Sequence, residues 1–169
     1  MTNSAIAVAN KFIEMAASKN RCFTQMQLQK LAYIAHGWSL ALYDEPMISD
    51  PPLAWDYGPV YIDLREALRI YGSREVDKPI KFGDYFAGFS QGANHQDVVG
   101  TFTDKQNHLL NEVFRVYGEF QAFQLSALTH QDGTPWHQVF VRLKQKNSPI
   151  PNDRIKEHFL ALKEGRTAA

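Results

Sequence analysis

Between Thr24 and Tyr43 the sequence reads TQMQLQKLAYIAHGWSLALY, the longest uninterrupted helical pattern in the chain. Thr24 with Gln27 has the form of a capping box, and Leu28, Leu31, Ala35, Trp38 and Leu42 then recur at helical spacing. Tyr33, Ile34, Leu40 and Ala41 add apolar surface on other sides, so this helix is expected to be covered on most of its circumference. Everything else must pack around it. A glycine inside a helix costs about 1 kcal/mol relative to alanine, so Gly37, followed by Ala41, predicts close approach of another element. Lys30 and His36 are the polar residues within the helix that need a partner.

The flanking segments read as shorter elements. Ile6, Ala9, Ile13 and Ala16 are spaced for a first helix, closed by the polar turn Ser18 to Arg21. After Tyr43, the prolines at 46, 51, 52 and 59 exclude a long helix and leave two extended pieces, Met47-Ile48 and Leu53–Tyr57, expected to pair as a small edge hairpin. Gly58-Pro59 turns the chain into a third helix with Tyr61, Leu64, Leu68 and Tyr71 on one face, Arg65, Glu66 and Arg69 in water, and Gly72 at its end. From Ser73 to Phe102 no period holds, and the stretch reads as an irregular insertion. Thr103 and Gln106 repeat the capping box before Leu109, Leu110, Val113, Val116 and Tyr117, with Gly118 as the stop. Ala122 to Thr129 forms a shorter helix. Thr134-Pro135 opens another, whose buried face is Trp136, Val139, Phe140 and Leu143. Ile155, Phe159 and Leu162 mark a last helix from near Asn152, and Gly165 onward is a frayed tail. The expectation is a mainly α fold, a single compact domain (1–169) of about six or seven helices around a central buried one, with one small β-hairpin.

Composition removes several functions. At 44% hydrophobic and 21% charged the 169 residues suit one core, and eighteen basic against eighteen acidic residues leave no overall field to draw in nucleic acid or an anionic membrane. Cys22 is the only cysteine, so no internal disulfide or Cys-rich zinc motif exists, and it reads as a small buried hydrophobe. No run approaches membrane-spanning length and the first residues lack a signal-peptide pattern, so the default expectation is cytoplasmic.

Catalytic chemistry finds no motif. The six histidines form none of the spacings that put two imidazoles on one helical face; His130 and His137 are separated by a break, His130 being expected to bond a neighbour and His137 to be solvated. There is no G-x-S-x-G elbow around Ser126 or Ser39, and the glycines at 83, 88, 92 and 100 match neither dinucleotide nor phosphate-loop patterns. No metal and no cofactor is therefore expected. The aromatic turn Trp55-Asp56-Tyr57-Gly58-Pro59-Val60-Tyr61 is either a core plug or a set of partner anchors.

The strings LQKLAYIAHGWSLALYDEPM, AWDYGPV, VFRVYGEF and LSALTHQDGTPWHQV, in this order, resemble the Panacea domain, the family of SocA-like antitoxins and phage-associated GepA-type proteins. W-x-Y-G-P and L-T-H-x-x-G-x-P-W are the specific signatures, with Leu28, Lys30, Leu31, Trp38, Gly58, Pro59, Thr129, His130 and Trp136 at family-motif positions expected to be scaffold. Thr134, between Gly133 and Pro135, and the Ser73 to Phe102 insertion depart from the pattern. The resemblance implies an antitoxin that binds a protein toxin encoded beside it, in some members as an adaptor to a ClpXP-type protease. Trp55, Tyr57, Tyr61, Phe86 and Phe89 are the expected contacts. Two other classes stay open: a nucleic-acid-binding autoregulator, against which no strongly basic helix is visible, and an enzyme with a Lys30, His36 and His130 pocket.

Overall fold

Helix α1 (Ala5–Ala17) and helix α2 (Gln25–Tyr43) are joined by a turn and the short strand β1 (Phe23–Thr24). A computed structural model describes residues 1–85 and 95–165. Thr24 caps α2 as its sequence promised: its hydroxyl accepts from the Gln27 N–H while the Gln27 side chain accepts from the Thr24 N–H. Thirteen of the helix's nineteen residues are buried, Lys30 and His36 among them. The helix is enclosed because α1, α3 (Ile62–Leu68), α5 (Asp104–Tyr117), α6 (Ala122–His130) and α8 (Asn152–Lys163) all pack on it. At Gly37 α8 lies against the backbone of α2: a Cβ there would overlap the ring of Phe159.

The hairpin differs from its expected register. It pairs β2 (Leu53–Trp55) with β3 (Gly58–Val60), matching Leu53 to Val60, Ala54 to Pro59 and Trp55 to Gly58. Met47 and Ile48 take no part in it. Both are buried, and Ile48 bridges Asn3 at the start of the chain. Pro51 and Pro52 lack the N–H groups that a longer first strand would need. Asp56 and Tyr57 thus form a two-residue tip, and Gly58, at φ 105°, takes the backbone strain that a primed turn would place on the tip itself. The outer edge of β2 is also occupied: Ala54 N–H donates to Ser148 O, Asn147 N–H to Ala54 O and Ile150 N–H to Pro52 O.

A second two-stranded sheet, invisible in the sequence pattern, pairs β1 with β4 (Glu75–Val76). The insertion therefore begins with regular structure, followed by the one-turn helix α4 (Phe82–Tyr85). Its ends meet in a neck. Val98 N–H donates to Ile80 O, Phe82 N–H donates to Gln96 O, and the buried Asn10 of α1 accepts from Ile80 N–H and donates to the carbonyls of Ile80 and Val98. Residues 86–94, with Phe86 and Phe89, lie outside the described residues, as does the tail from 166.

Helix α5 has the second capping box, Thr103 with Gln106. Helix α7 (Pro135–His137) starts at the Thr134 cap and runs into a π turn (Gln138–Arg142) closed by Leu143 N–H to Gln138 O. That wider turn rotates Leu143 off the buried face, where an α-helical count had put it, and leaves it exposed. Leu42, Val116 and Leu162 are likewise exposed rather than core; Leu42 and Val116 border an open cleft between α2 and α5. Among the described residues no helix is long and apolar enough to cross a membrane.

Candidate functional site

The hairpin tip is the part of the chain where exposed aromatics and the motif residues come together. Its base is locked from three helices. From α2, the Lys30 ammonium donates to Pro59 O at 2.8 Å. The neighbouring Gln29 amide bonds both the N–H and the carbonyl of Tyr61, standing in for a strand. From α6, Ser126 Oγ donates to Tyr57 O at 3.2 Å. From α7, Trp136 Nε1 donates to Trp55 O at 2.6 Å. Gly58 fits because it has no side chain: a Cβ would lie 3.0 Å from Lys30 Nζ and 3.3 Å from Thr129 Oγ1.

The aromatic residues of the turn then divide. Tyr57 is 73% exposed at the tip. Trp55 is half-buried, its ring covered by the Arg65 guanidinium at 4.8 Å, so Arg65 is not simply a solvated charge. Tyr61 is 0% exposed. Its side chain is a core plug and cannot touch a partner, because β3 feeds it inward as α3 begins. Phe123, equally exposed at 73%, lies one turn before Ser126 on α6 and shares its face, which carries the aromatic surface beyond the hairpin. Nothing in the α6 sequence separates that phenylalanine from a buried one, since the apolar residues of this helix lie all round it.

The motif positions are mostly buried. Leu28, Lys30, Leu31, Gly58, Pro59, Thr129 and Trp136 are buried, whereas Trp38 is half-buried, with Nε1 donating to the Tyr117 hydroxyl at 3.2 Å. His130 is half-buried, 3.3 Å from Ser126 Oγ and edge-on to Trp136. His137, expected in water, is largely covered, its Nδ1 accepting from Gly133 N–H and its Nε2 lying 3.4 Å from Asp132.

Lys30, His36 and His130 make separate contacts. His36 accepts from Ile48 N–H at Nδ1, which puts the ring proton on Nε2, 2.9 Å from the Asn152 amide oxygen at the start of α8. Burial holds this imidazole below its usual range, and the neutral ring ties two chain segments to α2. Lys30 looks toward the hairpin instead, and burial lowers its amine to about 7. Among the described residues no three His, Cys, Asp or Glu side chains converge as a metal site would require.

Compared with known proteins, residues 28–137 match the model of the SocA-like antitoxin, Panacea domain. The chain belongs to the SocA-like Panacea-domain family. It is similar to Antitoxin SocA of Caulobacter vibrioides, 29% identical over 133 residues that span 78% of this chain and 68% of that protein. No solved structure matches it. The matched Panacea segment starts at Leu28 and ends at His137, so it takes in both clamps of the hairpin, Lys30 with Pro59 and Trp136 with Trp55.

Proposed function

We propose that this protein is the antitoxin of a toxin–antitoxin pair, and that it neutralises the protein product of an adjacent gene by binding it in the cytosol through the hairpin tip and the neighbouring face of α6. One observation carries the reading: in a chain of an antitoxin family, Tyr57 stands exposed on a tip whose base is fixed from three helices. Aromatic side chains on a rigid mount lose little entropy on contact and dominate many interfaces. Trp55, half-buried under Arg65, adds aromatic surface, and Phe86 and Phe89 of the insertion add further contacts. The chain acts as one unit and needs no cofactor.

The test is rescue of growth from the adjacent gene's toxin by single alanine variants, each with its melting temperature. Tyr57→Ala and Phe123→Ala should keep the fold and lose most of the rescue. Full rescue by both folded variants would move the binding surface elsewhere. Following toxin half-life with and without a ClpX-type unfoldase separates neutralisation by binding from delivery to a ClpXP-type protease.

A further inference from the structure

From Gly133 to Asn152 the chain contains no Asp or Glu, and within that run Arg142, Lys144 and Lys146 stand at every second position. Elsewhere on the surface Lys11, Arg21, Arg65, Lys105, Arg115 and Lys156 each lie within 3.3 Å of a carboxylate. Among the described residues no ion pair includes Arg142, Lys144 or Lys146, and all three are exposed, Lys146 resting 4.9 Å from the centre of the Phe140 ring. Two residues of chain span at most about 7 Å, less than the screening length of about 10 Å at 0.1 M salt, so neighbouring charges act together. Val141 and Leu143, 46% and 48% exposed, alternate with them. The backbone that presents these side chains is tied at both ends. Leu143 N–H donates to Gln138 O and Gln145 N–H to Val139 O, while Asn147 N–H donates to Ala54 O and Ala54 N–H to Ser148 O. Lys144 and Asn147, at φ 55° and 63°, take the left-handed conformation as the chain folds back. Because Ala54 lies in β2, this turn adjoins the hairpin that carries Tyr57.

We infer that residues 141–146 are a docking face for an acidic stretch of the protein partner, whose carboxylates meet Arg142, Lys144 and Lys146 and whose apolar side chains meet Val141 and Leu143. Charge complementarity supports the assignment, since these cations have no counterion of their own. Asp56 at the hairpin tip and Asp153 and Glu157 on α8, the acids of the elements packed against the turn, are exposed and bind none of the three. A fixed backbone also loses little freedom on contact. The composition favours protein over nucleic acid: DNA-binding proteins commonly make about 6–10 phosphate contacts, and three cations with valine and leucine between them offer fewer. The partner's identity rests on the antitoxin reading; the acidic chemistry of what binds the turn does not.

The experiment follows association of the full chain with the adjacent gene's product by stopped-flow fluorescence at about 50 mM and about 500 mM sodium chloride. Arg142→Glu, Lys144→Glu and Lys146→Glu combined should slow association about tenfold or more at low salt and little at high salt. Changing the same three residues to Gln should slow it less, in the same direction. Reversal of Lys19, Lys78 and Lys163, also exposed, gives an equal net charge and should have a much smaller effect. Melting temperatures establish that each variant is folded. Unchanged association in the folded 142/144/146 variants, or equal slowing by the control reversal, overturns the site. The chemistry is probed separately by titrating the nitrogen-15-labelled chain with N-acetylated hexaglutamate amide, hexaglutamine being the control. Hexaglutamate should shift the amides of residues 141–147 and lose this effect in the triple variant; shifts of the same size around Lys19, Lys78 and Lys163 overturn the site. A short DNA duplex that moves the same signals at lower concentration than hexaglutamate overturns the protein source in favour of nucleic acid. Failure of the adjacent gene's product to bind at all sinks the antitoxin reading, and the hexaglutamate titration still decides the turn.

Discussion

The indole N–H of Trp136 reaches the carbonyl of Trp55 at 2.6 Å, joining two aromatic motifs by one hydrogen bond across 81 residues of sequence. Trp136 is 6% exposed and stacks on Phe140 at 4.6 Å, so the donor is rigid. Trp136→Phe keeps the stack and removes the N–H. It should cost about 0.5–1.5 kcal/mol in urea denaturation, the usual net worth of one hydrogen bond, and an unchanged stability would show the bond to be dispensable.

Gly37→Ala should destabilise in spite of alanine's better helix propensity. The added methyl overlaps the ring of Phe159, and overpacking of this kind costs about 1–3 kcal/mol against a propensity gain of about 1. Phe159→Leu should recover part of the loss, so that a double-mutant cycle reads a favourable coupling between the two substitutions.

Lys30 makes stability rise with pH. Its amine is lowered to about 7 in the folded chain from an ordinary value near 10.5, so between these limits the unfolded chain binds more protons and each pH unit favours folding by about 1.4 kcal/mol. Below 7 the cost of the buried charge is fully present. Lys30→Met should therefore be the more stable chain at pH 7, with the advantage shrinking by pH 9. Parallel denaturation curves for the two proteins across that range would refute the assignment.

On the acid side His36 acts with the same sign. Its folded pKa is depressed by burial, so the stability it confers as a neutral ring is complete above its ordinary value of 6.5 and is lost as pH falls below that. His36→Gln should flatten the acid limb of a stability-versus-pH curve; His158, also lowered by burial, leaves a residual slope.

Tyr33→Phe and Tyr61→Phe should be neutral or stabilising. Both hydroxyls are buried and neither has a hydrogen-bond partner among the described residues, so deleting the oxygen removes a polar atom without stranding another. Thermal melts of the two single variants check this, and a fall of more than about 1 kcal/mol in either would reveal a bond these contacts do not include.

Much of this architecture was legible because helices announce themselves locally. The caps at Thr24, Thr103 and Thr134 act within a turn of where they stand in sequence. The misreadings came from non-local pairing. Thr24 and Glu75 face each other from elements 51 positions apart, and no periodicity in two-residue strands records it. The hairpin moved by several residues because Met47 and Ile48 look like strand but are claimed by Asn3. At the candidate site the aromatic composition of Trp55 to Tyr61 was plain, but which ring faces water was not. Tyr57 and Tyr61 are the same amino acid four positions apart, and only the two-residue tip and the Gln29 clamp separate an exposed ring from a buried one.

The neck at Ile80 and Val98 has a consequence for how such a chain can change. Asn10 fastens both ends of the insertion to α1, so the distance the intervening sequence must span is set by the scaffold and not by its own length. Doubling such a closed segment costs only about 0.6 kcal/mol of closure entropy, less than a single core methylene. A segment of different length grafted between the same two anchors should therefore leave α1 and α2 folded, at the cost of the contacts that α4 makes with α3.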